Sequence, residues 1–473
     1  MRKTKIICTL GPATDREGIL EALIREGMNV ARFNFSHGTH EEQKVRLEKL
    51  KTLRKQFDKP IAALLDTKGP EVRIGCFKDK KITLEEGQEF ILVNDEVDGT
   101  QEQVTISYKD LYKDVKPGDS ILIDDGLVGM EVVNIVDKDI VCIVKNGGDI
   151  SDHKGVNVPG VELKMPFISP KDRDDLLFGI QEDFDFVAAS FTRTARDIRE
   201  MRQLLNDNGG QNIHIIAKIE NQQGVDNIDA IIEEADGIMI ARGDMGVEIP
   251  LEHVPIIQQR IIEKVYEAGK VVITATQMLD SMMIHPRPTR AETTDVANAI
   301  AQGTSAIMLS GETAAGKYPV EALKMMVKIA VHMERNIDYN RIFRRRERSE
   351  DPDITNAISH ATCMTAIDLK ANAILAVSKT GNTARMISKY RPECLIAGCS
   401  SSEKVCRQLN LSWGILPLQI REEYSSEILC LRAIEAAQAH GIVEEGDKIV
   451  FTGGIPLGIP GRTNLIRVCI VGE

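Results

Sequence analysis

Nowhere in the 473-residue chain do about 18 apolar residues run together, so no segment reads as a membrane-crossing helix. The first residues, Met1-Arg-Lys-Thr-Lys-Ile-Ile-Cys-Thr-Leu10, hold too short an apolar run for a signal peptide. There is no C-x-x-C, and nine cysteines, an odd number scattered over a long chain, are poor material for a disulfide framework. These absences give the expectation of a soluble protein of the reducing cytoplasm, in which the Asn-x-Ser matches at Asn34 and Asn410 carry no sugar. No long basic stretch is interleaved with aromatics either. The net charge is −12, and the one basic cluster, Arg344-Arg345-Arg346, is followed by Glu347, Glu350 and Asp351, which reads as a solvated linker rather than a nucleic-acid surface.

Three familiar cofactor signatures are also missing. No G-x-G-x-x-G follows the first strand, so a dinucleotide has no support. The histidines lack the H-x-x-x-H spacing of a zincin. Gly311-Glu-Thr-Ala-Ala-Gly316-Lys317-Tyr318 falls one residue short of a Walker A loop: Tyr318 stands where a hydroxyl must reach Mg²⁺, and Pro319 follows. That segment reads as the turn after the eighth strand.

What the chain does have is alternation. Its length exceeds what one core organises, so two or three domains are expected. Short β-branched or apolar runs at 5–10, 28–33, 61–66, 186–191, 214–219, 237–241, 271–276 and 306–310 are mostly separated by helical patterns, at 15–27, from Thr39 to Phe57, and at 171–181, 194–208, 223–235, 252–268 and 316–333. Eight such strands predict an α/β fold, a closed parallel (β/α)₈ TIM barrel, for residues 1–70 and 167–338. Between strands three and four, residues 71–166 change to short strands with turn signals, a β-rich insertion placed to act as a lid or to serve structure alone. After a charged linker at 339–352, residues 353–473 read as a separate α/β domain.

Polar residues cluster after the barrel strands: Arg32 and Asn34, Asp66 and Thr67, Lys218 and Glu220, Arg242 and Asp244, Thr276 and Gln277, Ser310 and Glu312. In a barrel those ends converge on one face, where active sites are built. Lys218 and Glu220, two apart, project from one face if the strand persists. Asp244 arrives on a Gly-flanked turn, and two carboxylates brought together repel unless a divalent cation lies between them; oxygen ligands favour Mg²⁺ or Mn²⁺ over zinc. Singly, each of these residues reads as an ion pair at a strand edge. Together they read as a catalytic site. In the last domain the turn Ser378-Lys379-Thr380-Gly381-Asn382-Thr383 gathers hydroxyls and N–H groups at a helix start, either an anion site or an ordinary cap.

The motifs Thr9-Leu-Gly-Pro-Ala, Asn34-Phe-Ser-His-Gly38, Asp66-Thr-Lys-Gly-Pro-Glu71-Val-Arg73, Lys218-Ile-Glu-Asn, Ala241-Arg-Gly-Asp-Met-Gly, Thr276-Gln-Met-Leu and Pro286-Arg-Pro-Thr-Arg-Ala-Glu292 resemble those of pyruvate kinase, of the bacterial type without a further C-terminal domain. The resemblance implies a TIM barrel, a β-barrel lid and a C-terminal regulatory domain. It implies phosphoryl transfer from phosphoenolpyruvate to ADP, with Lys218, Thr276 and Arg32 catalytic and Arg32, Lys218, Gly243, Asp244 and Thr276 on the substrate. It implies Glu220 and Asp244 on Mg²⁺ or Mn²⁺, and Asn34, Ser36, Asp66 and Thr67 on K⁺. Nucleotide contacts fall to Asn34, Phe35, Ser36, His37, Arg73 and Lys154. A homotetramer and a phosphorylated effector at Ser378–Thr383 are further implications. Members that need no monovalent cation carry lysine where this chain has Glu71, so K⁺ activation is expected. The loop from Thr452 to Asn464 lacks the tryptophan and second basic group associated with fructose-1,6-bisphosphate in animal forms, which leaves the effector open. Two other functions fit the fold: a catalytically silent sugar-phosphate- or nucleotide-binding homologue, and a metal-dependent carbon–carbon lyase that would not need Arg73 and Lys154.

Overall fold

The structure, a computed structural model, describes residues 1–345, 353–457 and 461–473. Eight parallel strands close into a barrel: Lys5–Thr9, Val30–Asn34, Ala62–Asp66, Phe186–Ala189, His214–Ile219, Gly237–Ala241, Val271–Ala275 and Ala306–Leu309. Each pairs with its neighbours in sequence, and Lys5↔Ala306 closes the ring. All eight start and end within two residues of the runs read from sequence, the usual uncertainty of element ends. The reason is burial: strands covered by helices outside and side chains inside are apolar throughout, as in Ala62–Asp66 and Val271–Ala275, where every residue is buried.

The helices needed more correction. The one expected at 15–27 is two, Pro12–Asp15 and Ile19–Glu26, broken before the left-handed Gly18; that at 223–235 breaks at Asn227. An unforeseen helix, Arg290–Gln302, lies between strands seven and eight, opened by a Thr289–Glu292 capping box and closed by Gly303 at φ 101°. Its first turns are polar, so the hydrophobic period is faint there. The linker also begins as a helix, Tyr339–Arg345, because Tyr339 and Phe343 bury their rings, Tyr339 against Trp413. The rest of the linker, with Arg346 to Asp351, lies outside the described residues.

Between strands three and four a seven-stranded sheet from Val72 to Asn157 carries its own core around Phe90, Leu92, Val104, Ile121 and Ile140. It touches the barrel where Asn157 Nδ2 donates to Glu248 Oε1 (2.7 Å) and where Arg193 donates to the carbonyls of Leu163 and Met165. The C-terminal unit is a five-stranded sheet, four strands parallel and the last, Leu465–Ile470, antiparallel at the edge.

This unit docks on the barrel's N-terminal face. Leu411 packs into the barrel's interior layer with Ile7, Leu64 and Met239. Asn410 donates to the carbonyls of Asn29 and Pro60, and Gln408 to those of Asp185 and Asn212, so carbonyls that precede strands two to five find donors from outside the barrel. Asp185, fully buried, accepts from Arg407 Nε (2.7 Å) and from the Ala63 N–H (2.8 Å), with Arg54 at 3.5 Å. Replacing Arg407 by Leu strips the main cation from a buried carboxylate and is expected to cost about 3 kcal/mol, seen as a lower thermal unfolding midpoint. The Arg407→Leu, Asp185→Asn double variant should recover part of it, since asparagine can still accept from Ala63. Equal midpoints in wild type and Arg407→Leu would contradict the clamp.

Candidate active site

Strand closure brings the predicted cluster together at the barrel's C-terminal mouth. Parallel register sets Ala188 beside Asp66, and Ala189 beside Ala217, so the ends of strands three, four and five face one another. Lys218, 8 % exposed, directs its ammonium at three acceptors: Asp66 Oδ1 (3.0 Å), Glu220 Oε1 (3.0 Å) and Ser190 Oγ (2.8 Å). Three N–H donors meet three acceptors. Ser190 is the member that sequence reading missed. Its hydroxyl is fixed beside the Thr67 carbonyl (2.6 Å), and the only signal was its place just after strand four, like the residues singled out on other strands.

Burial works against the Lys218 charge, but Asp66 and Glu220 outweigh it and raise the ammonium above its ordinary range. Asp66 is likewise held below the carboxylate range: burial opposes ionisation, and Arg32, through Nε at 2.5 Å, together with Lys218 overcomes it. Glu220 is different. It shares a single ammonium with Asp66, and burial pushes its carboxyl up to about 7, with Asp244 adding to the rise against Lys218. Its second oxygen accepts the Phe191 N–H at 2.6 Å.

Asp244 lies in the first turn of the helix Arg242–Glu248, which follows strand six directly. The inserted sheet's turns add another acid: burial, then Asp244 and Asp124, raise the carboxyl of Asp125, which lines with Asp244, Glu248, Asn157 and Phe191 a cleft of 430 Å³. Excess negative charge at this mouth fits a divalent cation held by Glu220 and Asp244. Among the described residues no three His, Cys, Asp or Glu side chains gather into a cage. Two carboxylates with the remaining positions left to water and substrate oxygens is the Mg²⁺ pattern.

Thr276 has φ 67° and Gln277 φ 53°, unusual backbone for a β-branched residue and its neighbour. The Thr276 hydroxyl accepts the Gly243 N–H (2.7 Å) and donates to the Ala275 carbonyl (2.6 Å), so the Gly243 N–H, expected to point at substrate, is here engaged by Thr276. Arg242 donates to Asp295 and to the Ala275 and Thr276 carbonyls, and Glu312 accepts the N–H groups of Leu279 and Ser310; both shape loops rather than line the mouth.

The other predicted residues fall into three groups. Asn34 Oδ1 accepts the Ser36 N–H, the Phe35 N–H donates to the Asp66 carbonyl, and the Thr67 hydroxyl donates to Ala188 O, which sets Asn34, Ser36, Asp66 and Thr67 on adjoining turns. The Phe35 ring is buried against Phe178 and Phe184, so only its backbone is available to a nucleotide, while His37 is exposed. On the inserted domain, Arg73 pairs with Glu71 (2.8 Å) and Lys154 with Asp124 (2.9 Å). Glu71 therefore does not stand as a free charge. In the C-terminal unit, Ser378, Lys379, Thr380, Asn382 and Thr383 line a second cleft, closed by Arg462. Gly381 caps the helix Asn382–Lys389 at φ 80°, and Thr383 is bonded to Thr463 (2.8 Å).

The chain matches the family model for the pyruvate kinase barrel domain over residues 1–323 and that for the pyruvate kinase alpha/beta domain over residues 356–469. It is 50 % identical over 472 residues to the pyruvate kinase of Clostridium acetobutylicum, all of both chains being covered. It is 48 % identical to that of Sporosarcina psychrophila, over the whole of this chain and 81 % of the relative. A crystal structure of a pyruvate kinase from Cryptosporidium parvum superposes with a TM-score of 0.94 at 38 % identity, over 99 % of this chain and 96 % of that one.

Glu220 sets a pH dependence. Its folded carboxyl keeps a proton up to about 7, whereas the ordinary value is 4.5, so between these the folded state binds more protons than the unfolded one and loses stability as pH rises. Without divalent metal the loss should reach up to about 3 kcal/mol by pH 7.5, and Glu220→Gln should abolish it. Unfolding midpoints from pH 5 to 7.5 in chelator, wild type minus variant, check this. A difference independent of pH would contradict an uncompensated carboxylate at this position.

Proposed function

The chain belongs to the pyruvate kinase family and moves the phosphoryl group of phosphoenolpyruvate to ADP, and on that premise we propose that the Lys218 cluster is its phosphoryl-transfer centre. The observation that carries the reading is a buried ammonium with every N–H engaged by side chains of strand ends three, four and five. To reach a phosphoryl oxygen Lys218 must give up one acceptor. Glu220 is the one it releases, because the same carboxylate is a ligand in the divalent-metal reading. Mg²⁺ or Mn²⁺ at Glu220 and Asp244 would neutralise substrate charge at the mouth. Arg32, fixed by Asp66 and the Thr9 hydroxyl, holds the substrate phosphate. Phosphoryl transfer needs positioning and charge neutralisation more than covalent help, which these fixed groups supply.

Thr276 acts on the other half of the reaction. Its hydroxyl, anchored on the Ala275 carbonyl, orients the water that protonates the enolate carbon, and the Gly243 and Asp244 N–H groups receive the substrate carboxylate once substrate displaces Thr276 from Gly243. ADP lies between the Asn34–His37 turn and the lid residues Arg73 and Lys154, and the lid excludes water. The C-terminal cleft takes a phosphorylated effector at Ser378–Thr383, in a cytoplasmic homotetramer. Among the described residues no helix is long and apolar enough to cross a membrane.

Replacing Lys218 by Met should leave phosphoenolpyruvate binding intact and lower kcat at least about 10²-fold, the scale of losing one preorganised donor. Solvent exchange of pyruvate methyl protons should survive, since Thr276 and the metal ligands remain. Steady-state kinetics and proton exchange measured on the same preparation check both halves; near-normal turnover would remove Lys218 from the centre.

Potassium gives a second test. Asn34, Ser36, Asp66 and Thr67 supply hard oxygens for a monovalent ion, so activity in K⁺ should exceed that in tetramethylammonium by at least about tenfold, about 1.4 kcal/mol. Glu71→Lys should relieve part of the requirement, and less than a free carboxylate would suggest, since Glu71 already pairs with Arg73. Full activity in tetramethylammonium alone would dismiss the site.

A further inference from the structure

The lid carries a nucleophile that phosphoryl transfer does not use. Of the nine cysteines Cys76 alone is exposed; Cys394 and Cys469 are half-buried and the rest are buried. Its Sγ lies 3.2 Å from Nε2 of His153, which is exposed too. A thiol at that distance can pass its proton to the imidazole, the usual route to an activated cysteine.

The pairing is built by the backbone on both sides. The His153 N–H donates to Gly75 O (3.2 Å), the Ile74 N–H to Lys154 O (3.0 Å) and the Phe77 N–H to Asp152 Oδ1 (2.7 Å), while Arg73 Nη1 donates to His153 O (2.6 Å). His153 holds φ 59°. The charged groups around these two segments are Arg73, paired with Glu71, Lys154, paired with Asp124, Asp152, tied to the Phe77 N–H, and Lys78 and Asp79.

We propose that Cys76 is a thiol-modification site, activated by His153, that takes up low-molecular-weight disulfides. Cys76 Sγ gives its proton to His153 Nε2 and attacks one sulfur of the disulfide. A new Sγ–S bond forms, the S–S bond of the reagent breaks with its electron pair going to the departing thiolate, and that thiolate takes the proton from His153. The resulting adduct stands beside Arg73 and Lys154, where it crowds ADP; this consequence rests on the nucleotide reading of those two residues.

The test uses the full-length enzyme and an uncharged probe, the disulfide of 2-mercaptoethanol, at pH 7, with sites followed by peptide mass spectrometry. An ordinary thiol is only a few per cent thiolate at that pH, so an activated Cys76 should react at least about tenfold faster than Cys394 or Cys469, and faster by a similar factor than in His153→Asn. Asparagine is the chosen variant because it tolerates the left-handed backbone at this position. Equal Cys76 rates in wild type and His153→Asn, or a Cys76 no faster than the half-buried thiols, would overturn the proposal. In the activity arm the modified enzyme should show KM for ADP raised several-fold at little-changed kcat. Cys76→Ser should match the unmodified enzyme and resist the reagent. Fast modification with KM for ADP unchanged would uphold the site and count against Arg73 and Lys154 as nucleotide contacts.

Discussion

The mouth of the barrel is organised around one buried charge. An ammonium out of water costs several kcal/mol unless its hydrogens find acceptors and its charge finds partners. Lys218 has both, from Asp66, Ser190 and Glu220, which arrive on three consecutive strands. No pair of strands could supply them, so the cluster exists only when the parallel register is correct and the ring is closed. The cost of that solution passes to Glu220, a buried carboxylate with half a counter-ion. Scaffold and chemistry thus share one constraint: the barrel must hold an acid that its own cations do not satisfy.

Strand four ties the two faces of the barrel together. At its start Asp185 takes Arg407 of the C-terminal unit, and just past its end Ser190 takes Lys218. The lower face is where stability is gathered, through Leu411 in the interior layer and through donors that meet the carbonyls ahead of strands two to five. The upper face works against it, with Asp244 set against Glu220 and Asp125 of the inserted sheet set against Asp244.

How much of this was legible in the sequence follows from burial. Strands hidden on both faces need apolar residues at every position, so their runs stood out. The helix Arg290–Gln302 did not, because Glu292, Thr293, Thr294 and Asp295 blur its apolar side; its Thr289–Glu292 box and Gly303 were the readable marks. Strand ends located the charged residues that meet at the mouth, yet the pairings needed coordinates. Glu312, Arg242 and Lys218 look alike in sequence, and only geometry separates the first two, which bond loop backbone, from the third. Ser190 was passed over because a serine after an Ala-rich strand carries no charge to attract notice.

Backbone conformation marks the same asymmetry. Phe191 at φ 53°, Thr276 at φ 67° and Gln277 at φ 53° follow strands four and seven, and Asp124 and Asp125, both at φ 55°, lie on the inserted domain. Asp58 and Lys370 also have positive φ, but they end helices, where the left-handed turn is ordinary. A β-branched residue such as Thr276 has no such excuse and is held by the Gly243 N–H and the Ala275 carbonyl on either side of its hydroxyl. The position that places this hydroxyl is therefore fixed by Gly243, in the helix after strand six, and Ala275, at the end of strand seven, not by local preference. In the proposed reaction the Ala275 bond remains when substrate takes the Gly243 N–H, so the hydroxyl keeps one fixed anchor while charge develops beside it, and anchored dipoles are those that stabilise a transition state most.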